Sequence, residues 1–430
     1  MNQKKSSVLS IVFFTVFLDI VGFSILFPLF PALLNWYVTH EGNHSLIGQL
    51  AAGLTRLADG NQLAVYTLFG GILGSLYGIL QFFFSVVWGA LSDKIGRRPT
   101  LLFTLTGTLF SYVIWLFAGN FVLLIAARIL GGMMAGNIST ASAAVADSTE
   151  PKDRAKGMAV VGVAIGLGFI LGPAIGGFFA SLHLESDVVE GAFALHPFSG
   201  AALASLVLAA VNLLWVARRF PETHPIENRS AQVQERSFRP LQQLKRLNYP
   251  GVQRANLLYL IYLTAFAGVE FTLTFLAVER LNYTPMDLAG VFVFVGLIIA
   301  FVQGGLVRRL VPKFGERVLV RFGLLMNGPG FLLLAEAQSS FALFLGLAFM
   351  AIGSAFLMPC MSALVSRYCP PQSQGLSMGV FRSMGSLSRA AGPLLGAFLF
   401  WKYGSSAPYW AATGILLIPI GMAVQLPEPK

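Results

Sequence analysis

Long apolar runs punctuate this chain, and their length restricts the folds open to it more than any other feature. A helix crossing a bilayer needs about 20 mainly apolar residues. Such runs occupy 8–34, 67–91, 100–118, 121–146, 157–182 and 199–217, then 252–277, 287–307, 319–336, 341–366, 375–400 and 408–425. In hydrocarbon every backbone N–H and C=O needs a partner within the protein, which leaves helices for runs of this length. The prediction is an all-α membrane protein of twelve transmembrane helices. Composition agrees: 56% of residues are hydrophobic and 11% charged, against roughly 25% charged in soluble domains. Ser7–Leu34 is too long for a cleaved leader's apolar core and is expected to stay as a span.

The formal net charge of +10 would suit a nucleic-acid partner, but its placement argues against one. When the spans alternate in direction, Lys94, Arg97, Arg98, Lys152, Arg154, Arg218, Arg219, Arg308, Arg309, Lys313, Arg317 and Arg367 fall on one side with the termini. The opposite side carries Arg56, Arg280 and Lys402. Basic residues crowd into cytoplasmic loops, so both termini are expected in the cytoplasm, with the chain in the cell's inner (plasma) membrane.

Metal and enzyme chemistry are not indicated. Cys360 and Cys369 lie on one predicted helix, roughly 13 Å apart by helical rise, too far for a disulfide. His40, His44, His183, His196 and His224 all fall in predicted loops. The spans hold no nucleophile-plus-base pair and no acidic metal motif, and no Walker-type phosphate loop is present. No cofactor is expected.

Six spans, a polar stretch and six more spans divide the chain into an N-terminal bundle (1–217), a cytoplasmic linker (218–250) and a C-terminal bundle (251–430). Two outward loops are long, 35–66 and 183–198, and the first shows an amphipathic pattern around Ile47–Leu63. The halves resemble each other. Gly157, Gly166, Gly172-Pro173 and Gly176 recur as Gly375, Gly385, Gly392-Pro393 and Gly396, offset by 218 to 220 residues. The loop Gly89-Ala90-Leu91-Ser92-Asp93-Lys94-Ile95-Gly96-Arg97-Arg98-Pro99 has a worn copy in Gly305, Arg309 and Gly315-Glu316-Arg317. Two pseudo-symmetric six-helix bundles are the expected architecture, the pattern of transporters built from repeats.

The 89–99 loop resembles the signature of the major facilitator superfamily, G-x-L-x-D-x-x-G-R-R-P, at every defined position. The resemblance implies a gating role for Asp93, Arg97 and Arg98 at a cytoplasmic helix end, with Arg97 paired to Asp147. A merely solvated basic loop is the plainer alternative. Gly162-x-x-x-Gly166 followed by Gly172-Pro173-x-x-Gly176-Gly177 is similar to the antiporter motif of drug–proton exchangers in that superfamily, although small-residue packing would also account for it. Arg128-x-x-Gly131-Gly132-x-x-x-Gly136 resembles the same group's basic motif. Asp19 with Pro28 and Pro31 is similar to the start of tetracycline–proton antiporters. Gly268–Leu276 and Phe381–Pro393 are similar to the tetracycline-transporter-like branch known from animals, TETRAN. The resemblance implies proton-coupled antiport and export of amphipathic, drug-like molecules by alternating access. Transport of organic anions or lipid-like molecules, and a non-transporting sensor or receptor, stand as alternatives.

Asp19, Arg128, Glu270, Arg382 and Arg389 lie well inside spans. Each would cost at least ~2.5–3.5 kcal/mol facing lipid, so they are expected to face a cavity or a partner. An arginine keeps its charge, so Arg382 and Arg389, two turns apart on one face, suit a substrate anion or a counter-ion. Asp19 and Glu270 can exchange protons and are the coupling candidates; a static Glu270–Arg389 pair is the alternative. Three arginines against two acids favour an anionic or zwitterionic substrate. Gln81, Asn137, Tyr259, Gln303 and Asn327 are candidate cavity-lining groups. The expected partners are such a substrate, protons and the bilayer, with the chain a monomer.

Overall fold

A computed structural model describes residues 3–42, 44–57, 60–149, 154–181, 191, 193–224, 249–370 and 374–428. Most of the linker, with Arg229, Arg236, Arg239, Lys245 and Arg246, lies outside the described residues, as do His183 and Lys152. The described chain is almost wholly helical. Its helices are α1 (Gln3–Ser24), α2 (Phe30–Glu41), α3 (Leu46–Leu57), α4 (Gln62–Ile95), α5 (Arg97–Leu116), α6 (Phe121–Met134), α7 (Asn137–Ser148), α8 (Arg154–Ser181) and α9 (Ser199–Arg219). Then follow α10 (Pro250–Leu281), α11 (Pro285–Phe301), α12 (Arg308–Ala335), α13 (Ser340–Arg367), α14 (Gln374–Tyr403) and α15 (Ala407–Val424).

These helices make twelve crossings. Ten stretches qualify by length and hydropathy among the described residues. One of them, Pro285–Ala335, runs 51 residues, about 75 Å if straight, against a hydrocarbon core of about 30 Å. It turns at Gly315, whose φ of 77° is left-handed, and so supplies two crossings. The less apolar α14, which carries Arg382 and Arg389, is 30 residues long and supplies the one crossing that remains.

Several spans are interrupted where the hydropathy pattern runs on unbroken. The first breaks after Ser24 into a 3₁₀ turn, Phe27–Leu29, before α2; Pro28 and Pro31 remove two N–H donors there. The fourth breaks between α6 and α7 at Ala135–Gly136. The eighth passes through a π-helical turn, Val302–Val307. The loop expected at 35–66 is largely helical: α2 extends to Glu41, α3 covers Leu46–Leu57, and α4 starts at Gln62. His40 therefore sits in a helix. Cys369 lies beyond the end of α13, and both cysteines are free and buried.

Packing proximity divides the chain into two compact units. The first comprises Met1–Leu33, Ile79–Phe238 and Pro285–Gly290; the second comprises Leu34–Gly78, Arg239–Thr284 and Val291–Lys430. In the first, glycines bring α8 onto α1. A Cβ on Gly176 would meet the Ile25 carbonyl, and one on Gly172 would meet Ser24 Oγ and the Val21 carbonyl. Ser24 Oγ donates to Gly168 O at 3.0 Å, stitching the crossing. Asn212 Nδ2 on α9 donates to Thr15 O at 2.9 Å.

The second unit repeats the device with its own glycines. A Cβ on Gly392 would lie 2.6 Å from Ala267 Cβ, and one on Gly396 would lie 2.7 Å from the Gly268 carbonyl. Gly172-Pro173 and Gly392-Pro393 therefore hold matching positions, each seated on the first helix of its own sequence half. The first half of α4 also packs in this unit, where a Cβ on Gly78 would sit 3.0 Å from Ala390 Cα. Between α12 and α13, a Cβ on Gly323 would sit 2.6 Å from the Gly353 carbonyl.

Candidate functional site

In the first unit the break in the fourth span builds a polar site around Asp19. Ending α6 early leaves carbonyls without helical partners. The Trp88 indole answers one of them, donating from Nε1 to Met133 O at 2.6 Å. The same ring fills the space beside Gly136, where any Cβ would strike it. The next residue, Asn137, opens α7 fully buried. Its Nδ2 donates to Asp19 Oδ1 at 3.1 Å, and its Oδ1 accepts from Thr104 Oγ1. A chain of hydrogen bonds thus runs from α5 through α7 to the half-buried carboxylate on α1.

At one end of the same unit lies an ion cluster. Arg97, whose side chain is 5% exposed, contacts Asp93 Oδ1 at 2.5 Å and Asp147 Oδ2 at 2.8 Å. It also donates to Ser92 Oγ at 2.6 Å. Gly96, with φ 107°, makes the turn that lets Arg97 open α5 directly after α4. Glu222, which the sequence reading passed over, caps that helix: its carboxylate accepts from the Arg97 N–H at 2.9 Å and the Arg98 N–H at 3.2 Å. An acid at a helix N-terminus satisfies orphan donors and opposes the dipole's positive end. The Arg98 guanidinium donates to Ala217 O at 2.6 Å, and His224 Nδ1 stands 4.0 Å from Asp147 Oδ2.

The second unit carries a counterpart with its charges exchanged. Glu316 follows the left-handed Gly315 as Arg97 follows Gly96, and both its oxygens accept from Arg367 Nη1 at 2.8 Å. Arg97 and Glu316 are 219 positions apart, Asp147 and Arg367 are 220 apart, and the repeat offset spans both values. The worn copy of the signature loop therefore keeps an ion pair while inverting its polarity. Arg317 adds a contact to Glu428 at 3.3 Å.

Elsewhere in the second unit, Glu270, Tyr259, Tyr262, Asn327 and Arg389 gather. Arg389 lies within electrostatic reach of both Glu270 and Tyr259. Tyr262 Oη donates to Asn327 Oδ1 at 3.4 Å, and Asn327 Nδ2 donates to Gly323 O at 2.7 Å. The Tyr259 ring stacks on Phe381, centroids 4.1 Å apart, beside Arg382 in sequence. Glu270 and Arg382 are half-buried and Arg389 is exposed. Ser388 Oγ, one residue before Arg389, donates to Leu260 O at 3.0 Å and pins α14 on α10.

Arg128, Gln81 and Gln303 are the remaining candidates. Arg128 is buried, its guanidinium 5.7 Å from the Trp115 ring centroid. Gln81 is half-buried on α4, and Gln303 is exposed on the π turn. Among the described residues, neither glutamine hydrogen-bonds to Asp19 or Glu270. Arg280, read from sequence only as a marker of sidedness, clamps helix ends instead. It donates to the carbonyls of Ala335 and Ala337 and to the hydroxyls of Ser405 and Ser406. His196, expected in a loop, is buried there: its ring sits against Trp115 O at 2.9 Å and accepts from the Phe198 N–H.

Twelve crossings built from a repeated six-helix pattern, with Asp19 held at a broken span and Glu270 within reach of Arg389, define a membrane transporter rather than an enzyme. The family model of the Major Facilitator Superfamily matches residues 12–314 and 309–430, and the chain belongs to that superfamily. It is 35% identical to the human protein called Major facilitator superfamily domain-containing protein 10, over 98% of this chain and 93% of that one. It is 27% identical to the class C tetracycline resistance protein of Escherichia coli, over 95% and 92%. The crystal structure of the human organic anion transporter MFSD10 (TETRAN) superposes with a TM-score of 0.78 at 33% identity, covering 98% of this chain and all of that one.

Proposed function

We propose that this transporter carries organic anions by alternating access, coupled to protons through Asp19, Glu270 or both. The observation that carries the reading is the placement of Arg382 and Arg389 on α14, in the unit where Glu270 and Tyr259 also lie, in a chain similar throughout to a protein described as an organic anion transporter. An arginine cannot shuttle protons, so these two suit a carboxylate, sulfonate or phosphate group on the substrate. The Tyr259–Phe381 stack offers a flat apolar surface for the rest of an amphipathic molecule. Asp19 and Glu270 are carboxylates that can alternate between a paired and a protonated form. The resemblance of Gly162–Gly177 to the antiporter motif of drug–proton exchangers supports antiport and export. Residues 1–217 and 251–430 serve as the two moving bundles in the plasma membrane, with both termini in the cytoplasm, the orientation that the excess of basic residues favours.

The substrate class is tested in proteoliposomes holding the purified monomer, with a fluorescent organic anion and an organic cation of similar size. Arg389→Gln should reduce anion flux by at least tenfold and leave any cation flux unchanged. Equal loss for both probes, or a larger loss for the cation, would remove the arginines from substrate recognition.

A further inference from the structure

The second unit holds a cavity of about 250 Å³ between α10, α14 and α15, lined by none of Glu270, Tyr259, Arg382 and Arg389 themselves. Ile261, Gly268, Leu395, Gly396, Ala411 and Ile415 are among its walls. It exists because the α10–α14 crossing is made by glycines, which bring backbones together and leave no side chain to fill the angle against α15. It opens on the surface, since Leu395 and Ile415 on its rim are 53% and 41% exposed. Its lining offers no usable polar side chain: the Thr264 hydroxyl donates to Leu260 O of its own helix at 2.7 Å. A water molecule needs two to four polar partners, so an apolar chain suits this cavity better than water.

Burial alone cannot select that chain. Lipid tails are as apolar as leucine, so a tail moving from the bilayer into the groove gains little hydrophobic free energy. Selection must come from fit and from a polar end group. On α14, Leu395, Leu399 and Lys402 recur at spacings of four and three and so share a face. Lys402 lies about 4.5 Å along the helix from Leu399, which also lines the groove. It is exposed, with its ammonium 6.0 Å from the Trp401 ring centroid. Tyr403 and Trp410, 68% and 50% exposed, lie at the same end. Aromatic side chains gathered this way mark the headgroup level. Glu336, an acid at this end, accepts a hydrogen bond from Trp410 Nε1 at 3.1 Å. The groove thus runs from hydrocarbon depth to a cation at the interface.

We propose that this groove holds one acyl chain of an anionic phospholipid, with the lipid phosphate on the Lys402 ammonium. The test is lipid retention by the purified full-length chain, measured by native mass spectrometry after adding phosphatidylglycerol or phosphatidylcholine of identical chains. One basic contact at the headgroup gives a preference of about fivefold for phosphatidylglycerol. Lys402→Glu should abolish that preference. Ala411→Trp, which fills the groove, should lower retention of both lipids. Leu417→Trp, at a position 70% exposed elsewhere on α15, should change neither. Unchanged preference in Lys402→Glu would overturn the proposal, as would retention in Ala411→Trp equal to wild type. A dimer in place of lipid adducts would also defeat it, by assigning the groove to a second copy. Lys402→Glu alters only an exposed side chain, so it decides the question even if Ala411→Trp does not fold.

Discussion

Arg97 is held between two acids that repel each other, and this fixes how mutations at the cluster should combine. Replacing Asp147 by Ala removes a charge-assisted hydrogen bond at 2.8 Å, worth about 1.5–3 kcal/mol. The same replacement relieves the repulsion between Asp147 and Asp93, so the measured loss should sit near the bottom of that range. Asp93→Ala should behave alike, with some screening because Asp93 is 33% exposed. The double substitution gains the relief once, whereas the sum of the singles counts it twice. It also leaves Arg97, 5% exposed, without either carboxylate, the situation that costs about 3–5 kcal/mol in buried pairs. The double variant should therefore lose more than the two singles together, by about 1 kcal/mol or more. Denaturant unfolding of the detergent-solubilised protein, followed by tryptophan fluorescence, measures all corners of the cycle. Additive or sub-additive losses would show that the acids do not share one buried guanidinium, and the geometry would then be the wrong guide to the energetics.

Other expected outcomes follow from single contacts. Gly396→Val should destabilise the second unit by about 1–3 kcal/mol through overpacking, since the new Cβ would sit 2.7 Å from the Gly268 carbonyl; an unchanged melting temperature would contradict that crossing. Exchanging the charges of the second cluster, Glu316→Arg with Arg367→Glu, should recover most of the stability lost by either single change, since the equivalent pair already has the opposite polarity. Burial pushes the His196 imidazole down to about 4, against about 6.5 when unfolded. The unfolded chain therefore binds the extra proton first, and stability present above pH 6.5 drains away as pH falls toward 4, by up to about 3 kcal/mol. His196→Gln should flatten that part of the pH–stability curve, and an unchanged slope would refute the assignment.

The spans were legible because hydropathy reports length and apolarity, and those alone require helices in lipid. The interruptions were not. Whether a carbonyl at Met133 bonds along its helix or to the Trp88 indole leaves no trace in hydropathy, and a π turn at 302–307 changes hydrogen-bond register without changing composition. Arg97 and Asp147 could be read as partners from a dense motif. Glu222 could not, because it follows the helices in a polar stretch with no periodicity to place it. The Glu316–Arg367 pair was within reach: the repeat offset pointed to both positions, but a search for like residues misses a pair whose signs are exchanged. For His196, sequence shows that no helix covers it, not that Trp115 and Phe198 enclose it. Sequence shows only that Asn137 is polar; its bond to Asp19 depends on the break at Gly136, after which α7 starts at Asn137.

Proton-driven movement of an anion is measured most directly as flux into proteoliposomes under an imposed pH gradient, with wild type beside Glu270→Gln and Asp19→Asn. Wild type should accumulate a fluorescent organic anion above equilibrium and lose that accumulation when an ionophore collapses the gradient. At least one carboxamide variant should still exchange the anion across the membrane yet fail to concentrate it. Full accumulation by both variants, or a wild type indifferent to the gradient, would contradict proton coupling through these carboxylates.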